Sequence, residues 1–309
     1  MGQITRRSLM TMGTAGAIGL TLAEDRADAF QKPSFSFVHI TDTHIQPELG
    51  ATQGVEKAFK AIRSLKEKIA FGLVGGDLVM DAAFVSRQRA DDVFDLWSRA
   101  SENLEFPLHY SVGNHDVFNL NATGKPDSQS AEYGKGLWKK RLKLESSYSS
   151  FDHQGWRFVQ LDSVGITPAG SYEGFIDDEQ IKWLTTLLAT TPKSMPMVFL
   201  THFPIFTAFM FYTTGTTSAL PPSLVVKNGK TFFDLIQGYN VKAVFQGHTH
   251  VLEEIDYLGV KYVTGGAICG DWWKGYRLGV HPEGFIVATV RGDELTWSYR
   301  NYGWTAVKG

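Results

Sequence analysis

The run FPLHYSVGNHD, Phe106 to Asp116, starts as an apolar extended segment and stops on glycine, asparagine, histidine and aspartate. A short apolar run bounded by Pro and Gly reads as a buried strand. Its end could be an ordinary turn, because Gly and Asn accept positive φ and Asn and Asp hydrogen-bond nearby backbone. A turn alone leaves His115 without a role. The same shape recurs along the chain. FSFVHITDTH ends in Asp42 and His44, IAFGLVGGD in Asp77, and VKAVFQGHTH in His248 and His250, while MPMVFLTHFP carries His202 near its end.

Helical patterns lie between some of these strands. GVEKAFKAIRSLKEK has Val55, Phe59, Ile62 and Leu65 on one face, and DDEQIKWLTTLLA opens with a capping residue at Asp177 and Gln180 three positions on. AEYGKGLWKKRL is a weaker helical candidate. Strands alternating with helices, with polar residues gathered at strand carboxyl ends, predict an α/β protein whose site forms along that edge. Five of the nine histidines fall there, and the remaining His39, His109, His153 and His281 read as packing or surface residues.

Bulk properties narrow the chemistry. The 309 residues, 43% of them hydrophobic, suffice for one large domain or two small ones with a buried core. A net charge of −2 provides no basic field for nucleic acid or an anionic membrane. The single cysteine, Cys269, rules out an intrachain disulfide and a thiolate cluster, so any metal must be held by nitrogen and oxygen.

The first residues form a separate pattern. Arg6 and Arg7 precede an uncharged run from Ser8 to Ala23, too short and too rich in Gly and Thr for a comfortable membrane span. The run is followed by Ala27-Asp28-Ala29, a small-x-small pattern of the kind a signal peptidase cuts. TRRSLM resembles a twin-arginine signal, which serves proteins exported already folded. The expectation is a signal peptide over 1–29, one domain over 30–309, use of the twin-arginine export machinery, a periplasmic or secreted location, and no stable membrane anchor after cleavage.

Imidazole, carboxylate and amide oxygen together suit Zn, Mn or Fe. In an extended segment, Asp42-x-His44 puts two ligands on one side, and His248-x-His250 does the same. With Asp77, Asn114 and His202 they make seven candidate ligands. Seven exceed one four-coordinate ion but fit two ions that share a carboxylate. Two metals about 3.5–4 Å apart are a usual device for hydrolysing phosphate esters.

The ordered set DTH, GGD, GNHD, TH and GHTH resembles the calcineurin-like metallophosphoesterases, and it runs from Asp42 to His250, two-thirds of the chain. SSYSSFDHQGWRFVQLDS, between the third and fourth motifs, looks like that family's central hairpin. The resemblance implies a four-layer α/β/β/α sandwich of two mixed sheets flanked by helices. It implies that Asp42, His44 and His250 hold one metal, that Asn114, His202 and His248 hold the other, and that Asp77 bridges them. It further implies that His115 is not a ligand but assists the leaving oxygen while a metal-activated water attacks phosphorus, with Asp116 fixing the orientation of His115. Gly113 would give the tight turn that aims Asn114 inward.

Two departures matter. Ala82 follows Asp81 where the protein Ser/Thr phosphatases of this family have a phosphate-clamping arginine, and Met80 and its neighbours offer no tyrosine ligand of the purple-acid-phosphatase kind. The compact pattern looks closer to the bacterial phosphodiesterases and the purple-acid-phosphatase-like branches, although a tyrosinate-bound ferric site is not expected. The expected substrate is a small phosphomonoester or phosphodiester. Alternatives are a cyclic-nucleotide phosphodiesterase, which an exported location disfavours, and a catalytically silent metal-binding or interaction protein of the same fold. Two aromatic stretches stand beside the motifs: Phe203–Pro222, an apolar wall over the site or a buried packing segment, and Trp272-Trp273-Lys274, which either plug an end of the sandwich or meet the substrate.

Overall fold

Every strand that leads into a motif alternates its side chains between two apolar environments, and that period of two builds the layers. Strands β1 (Ser34–Ile40), β2 (Ile69–Val74) and β3 (Leu108–Tyr110) come first, and β4 (Ser149–His153) and β5 (Trp156–Gln160) form the expected central hairpin. A short hairpin, β6 (Val164–Ile166) and β7 (Tyr172–Gly174), stands apart. Then follow β8 (Met197–Leu200), β9 (Val241–Gln246), β10 (Leu252–Tyr257), β11 (Val260–Gly265), β12 (Gly284–Arg291) and β13 (Glu294–Asn301). One sheet has the order β13-β12-β1-β2-β3 and the other β10-β11-β9-β8-β5-β4. Within them β1, β2 and β3 are parallel, as are β5, β8, β9 and β11, and the remaining pairings are antiparallel. These features come from a computed structural model that describes residues 32–120, 128–215 and 217–307. The signal-like segment 1–29 lies outside the described residues. Pro33–Gly309 forms one compact unit, and among the described residues no helix is long and apolar enough to cross a membrane.

Phe35, Phe37, Phe71, Leu73, Ile286 and Ala288 of the first sheet meet Trp156, Phe158, Val198, Leu200, Ala243 and Phe245 of the second in one buried cluster. The intervening residues, among them Val38, Ile40, Val74, Val287, Met197, Phe199 and Val244, turn outward into a core that includes the helices. Helices α1 (Ala51–Arg63) and α2 (Arg87–Ser101) pack Phe59 against Trp97, and Trp97 against Tyr110 of β3. Helix α3 (Gly136–Leu142) buries Leu137 and Trp138. On the second sheet, α4 (Asp178–Ala189) buries Leu184 and Leu188, and α6 (Gly229–Ile236) sets Phe232 edge-on to Phe199. Between them in sequence lies the short α5 (Phe209–Thr213). The arrangement is the α/β/β/α sandwich that the motifs implied.

Asp177 caps α4 by accepting from the Gln180 backbone N–H at 2.8 Å, as its sequence predicts. Helix α1 departs from expectation at both ends. It starts after Gly50, in the left-handed region at φ 67°, and stops at Arg63, leaving Leu65 outside. The Ser64 N–H closes onto Lys60 and Ala61 carbonyls and ends the helix. Helix α2 is an addition. Its Val93, Phe94, Trp97 and Ala100 have helical spacing, and Ser86 caps it.

Phe37 is fully buried between the sheets, stacked on Phe71 at 5.2 Å and edge-on to Phe158 and Phe245 at 5.5 and 5.8 Å. Phe37→Ala should lower unfolding free energy by about 3–5 kcal/mol in urea melts, the usual loss for a buried Phe that leaves a cavity. A loss below about 1 kcal/mol would mean that the sheets do not pack through this ring.

Candidate metal centre

The carboxyl ends of β1, β2, β3, β8 and β9 project their loops to one edge of both sheets. The loops are tied to each other by backbone hydrogen bonds. Asp42 and His44 donate to the Gly76 and Asp77 carbonyls, Cys269 to Asp42, and Gly247 to His202, all at 3.0–3.1 Å. Asp42, His44, Asp77, His248 and His250 all have φ between 40° and 71°. Non-glycine residues held in that region cost roughly 1–3 kcal/mol each and gather at functional sites. The period-two argument for Asp42-x-His44 and His248-x-His250 therefore fails locally. Each pair points inward because its backbone turns left-handed, not because it continues a strand.

Asp77 stands at the centre. Its Oδ2 lies 3.4 Å from His44 Nε2 and 3.2 Å from His202 Nε2. On the first side, His44 Nε2 is 3.1 Å from His250 Nε2, and His250 Nε2 is 3.3 Å from Asp42 Oδ1. On the second, His202 Nε2 is 3.1 Å from Asn114 Oδ1, and His248 joins Asp77 and His202 in a group whose ligand atoms lie within 4.8 Å. These separations are those of donor atoms around a shared ion, since metal–nitrogen bonds of about 2.0–2.1 Å set neighbouring ligands roughly 3.0–3.4 Å apart.

The far nitrogens fix which ring atom is free. His202 Nδ1 donates to the Gly75 carbonyl at 2.8 Å and His250 Nδ1 to the Gly270 carbonyl at 2.7 Å, so each presents the lone pair of Nε2 inward. His248 Nε2 bonds the Ser223 carbonyl at 3.0 Å, which leaves its Nδ1 for the centre. With those rings neutral, their lone pairs converge with the carboxylate oxygens and form a seat for cations. His115 and Cys269 also come within ligand distance of members of these groups.

Charges in the centre are strongly coupled. Burial alone would push Asp42 up, but the charge of His250 beside it holds the carboxyl down at about 2. Burial opposes charge on His202 too, yet Asp77 raises it to about 9. His248 is pulled down to about 3 by burial and by the charge on His202. At neutral pH a proton on His202 takes the place of a cation, so metal entry there releases a proton and weakens as pH falls.

Asp116 is not where the sequence reading put it. Its Oδ1 accepts from Leu78 N–H at 2.7 Å and its Oδ2 from Gly113 N–H at 2.9 Å, so it staples the loop after β3 to the loop after β2. Both oxygens are committed to backbone. A second carboxylate, Asp81, faces the His115 ring, with its Oδ2 4.0 Å from His115 Nδ1, beyond hydrogen-bond distance. His115 is anchored by its own N–H, which donates to Asp77 Oδ1 at 2.8 Å, and its ring meets His44 edge-on at 4.7 Å. Gly113 is required by contact. A Cβ there would lie 2.1 Å from Asp77 N and 2.2 Å from Asp77 Oδ1.

Several neighbours carry no motif and escaped the sequence reading. The buried Cys269 places Sγ 3.6 Å from His250 Nδ1. Tyr172, on β7, is raised by partial burial and by the nearby charges of Asp77 and Asp81. The aromatic stretch after His202 supports the centre through Phe203, fully buried and 4.2 Å from the His248 ring, while its Phe211 and Tyr212 are exposed. His39, His109, His153 and His281 pack elsewhere. His39 contacts Phe245, His109 stacks on Phe151, His153 meets Phe35, and His281 accepts from Leu252 N–H.

Comparisons with known proteins agree with this geometry. The family model described as calcineurin-like phosphoesterase matches residues 35–252. The chain is 25% identical over 219 residues to the 3',5'-cyclic adenosine monophosphate phosphodiesterase CpdA of Pseudomonas aeruginosa, covering 70% of each chain. It is 19% identical over 247 residues to a probable cyclic nucleotide phosphodiesterase of Rhodococcus erythropolis, covering 79% of this chain and 74% of that one. Its fold is similar to a dimetal phosphatase from Danio rerio, with TM-score 0.61, 16% identity and coverage of 88% of this chain and 98% of the other. On that match, which spans more than half of the chain, the protein belongs to the calcineurin-like phosphoesterase family, a family of hydrolases, and the groups gathered around Asp77 are ones that could hold metals.

Proposed function

We propose that Asp42, His44 and His250 hold one metal ion, that Asn114, His202 and His248 hold a second, and that Asp77 serves both. The observation that carries this reading is the single oxygen, Asp77 Oδ2, within 3.4 Å of one histidine from each set. The donor set of imidazole, carboxylate and amide oxygen suits Mn, Fe or Zn. Two such ions supply Lewis acidity and a nucleophile drawn from water at neutral pH.

In this reading the substrate is a small phosphomonoester or phosphodiester. Water adds to phosphorus, the bond to the leaving oxygen breaks, and the alcohol departs with a proton. His115 delivers that proton or stabilises the oxygen, and the carboxylate that faces its ring Nδ1, at 4.0 Å, is Asp81 rather than Asp116. A cyclic nucleotide is a second reading, favoured by the names of the two bacterial relatives. The twin-arginine pattern at Arg6 and Arg7 supports export, which separates the protein from intracellular cyclic nucleotides.

His115→Ala should retain its metals and fold, and turnover should fall by roughly 10²–10⁴, the usual worth of a positioned acid or base. The loss should be larger for an alkyl phosphoester than for p-nitrophenyl phosphate, whose leaving group needs little proton help. Equal losses would make His115 an electrostatic stabiliser, and metal loss would make it a ligand. Asp81→Asn should show a weaker form of the same pattern. Replacing Arg6 and Arg7 with Lys should leave the precursor in the cytoplasm on cell fractionation, and normal export of that variant would contradict the twin-arginine reading.

A further inference from the structure

The paired tryptophans after the last metal motif divide their work. Trp273 is buried, donates its indole N–H to the His44 carbonyl at 3.0 Å, and packs its ring over Gly54 so closely that a Cβ there would lie 2.0 Å from it. It is the plug. Trp272 is only half-buried and turns the other way, 4.6 Å from the His250 ring and 6.2 Å from His44. Both residues have positive φ, 48° and 69°, so the backbone is held in a conformation that bulky residues avoid. The Arg277 guanidinium sits 4.9 Å from the Trp272 ring centre and is itself fixed by Asp271 at 2.8 Å and the Thr249 carbonyl at 3.3 Å. Trp272 is thus a clamped surface rather than a loose side chain.

That surface borders an open cavity of about 400 Å³ lined by Gln46, Leu49, Met80, His115, Trp272 and Lys274. The size is that of a small-ligand site. His115 belongs both to this wall and to the group with His44 and Asp77, so the cavity begins where the leaving oxygen would be. Its lining is apolar and aromatic near His115. The one fixed charge among the six side chains is the exposed Lys274, for which the described residues provide no ion-pair partner.

We propose that this cavity is the leaving-group subsite, and that Trp272 and Lys274 select a leaving alcohol bearing a planar unsaturated ring with a negative charge beyond it. The proposal rests on the phosphoester-hydrolase reading of the metal centre. Trp272 provides a rigid flat contact for the ring, and Lys274 meets the outer anion at the cavity mouth.

The test compares three esters on the metal-loaded protein: 4-carboxyphenyl phosphate, 4-carbamoylphenyl phosphate and 4-carboxybutyl phosphate. Trp272→Ala should raise KM for both aryl esters by about tenfold relative to the alkyl ester, with Trp272→Phe restoring the difference. Lys274→Ala should bring the ratio of kcat/KM for the carboxylate over the carboxamide ester down by about threefold at low salt, and Lys274→Arg should keep it. The parent's ratio should also shrink at high salt. Calorimetric binding of 4-hydroxybenzoate, the alcohol product, reads the subsite without turnover, and both alanine variants should weaken it. Turnover of the esters with ratios and product binding unchanged in the variants overturns the subsite. Product binding that depends on Trp272 and Lys274 in a protein that cleaves none of the esters supports the subsite and overturns the hydrolase reading instead.

Discussion

One carboxylate oxygen, Asp77 Oδ2, is aimed at nitrogens from two separate histidine sets, 3.4 Å from His44 and 3.2 Å from His202. Much around it serves to hold that oxygen. Its partner Oδ1 accepts the His115 N–H, its carbonyl accepts the His44 N–H, and the absent side chain of Gly113 leaves the space in which it lies. A buried carboxylate among acceptors is unfavourable by itself and becomes favourable when cations occupy the space between. The centre is therefore organised for charge that metal ions provide, and the raised His202 and lowered Asp42 are the form this tension takes when protons alone are present.

The sandwich makes such a centre possible by delivering chain ends rather than chain middles. Parallel strands in both sheets send their carboxyl ends to one edge, and a rigid double core fixes them there. The loops then depart from regular geometry. Five proposed ligands have left-handed backbone, and the interlocking hydrogen bonds between the loops after β1 and β2, with Asp116 stapling the loop after β3, offset that strain. Asp116 thus acts on the fold of the site, and the carboxylate that faces the His115 ring Nδ1 is Asp81, 4.0 Å away. The Trp272–Lys274 segment extends the same edge outward, with Trp273 anchored under His44 and Trp272 facing the cavity.

The metal motifs were legible because a strand's end is marked in sequence by the break from apolar to Gly, Asn, His and Asp, and because five such breaks recur in order. The two-layer packing was legible only through resemblance, since alternation along Phe35–Ile40 says that both faces are buried without saying by what. The position of Asp116 was not legible. Adjacency to His115 suggested a partnership, but a tight 3₁₀ turn over Asn114–Asp116 sends the two side chains apart. Tyr172 and Cys269 are brought in by a short hairpin and a loop whose paths depend on tertiary contacts, and neither lies in a spacing pattern that could have announced it; Asp81 stood in the pattern after Asp77, but its approach to His115 did not. The division between Trp272 and Trp273 likewise depends on Gly54, more than two hundred residues earlier.

The central claim is that one aspartate joins two metal sites. Anomalous diffraction from crystals of manganese-loaded protein tests it most directly. The account predicts two peaks per chain, one among Asp42, His44 and His250 and one among Asn114, His202 and His248, both within bonding distance of the Asp77 carboxylate. A single peak, or two peaks of which one lies beyond the reach of Asp77, would contradict it.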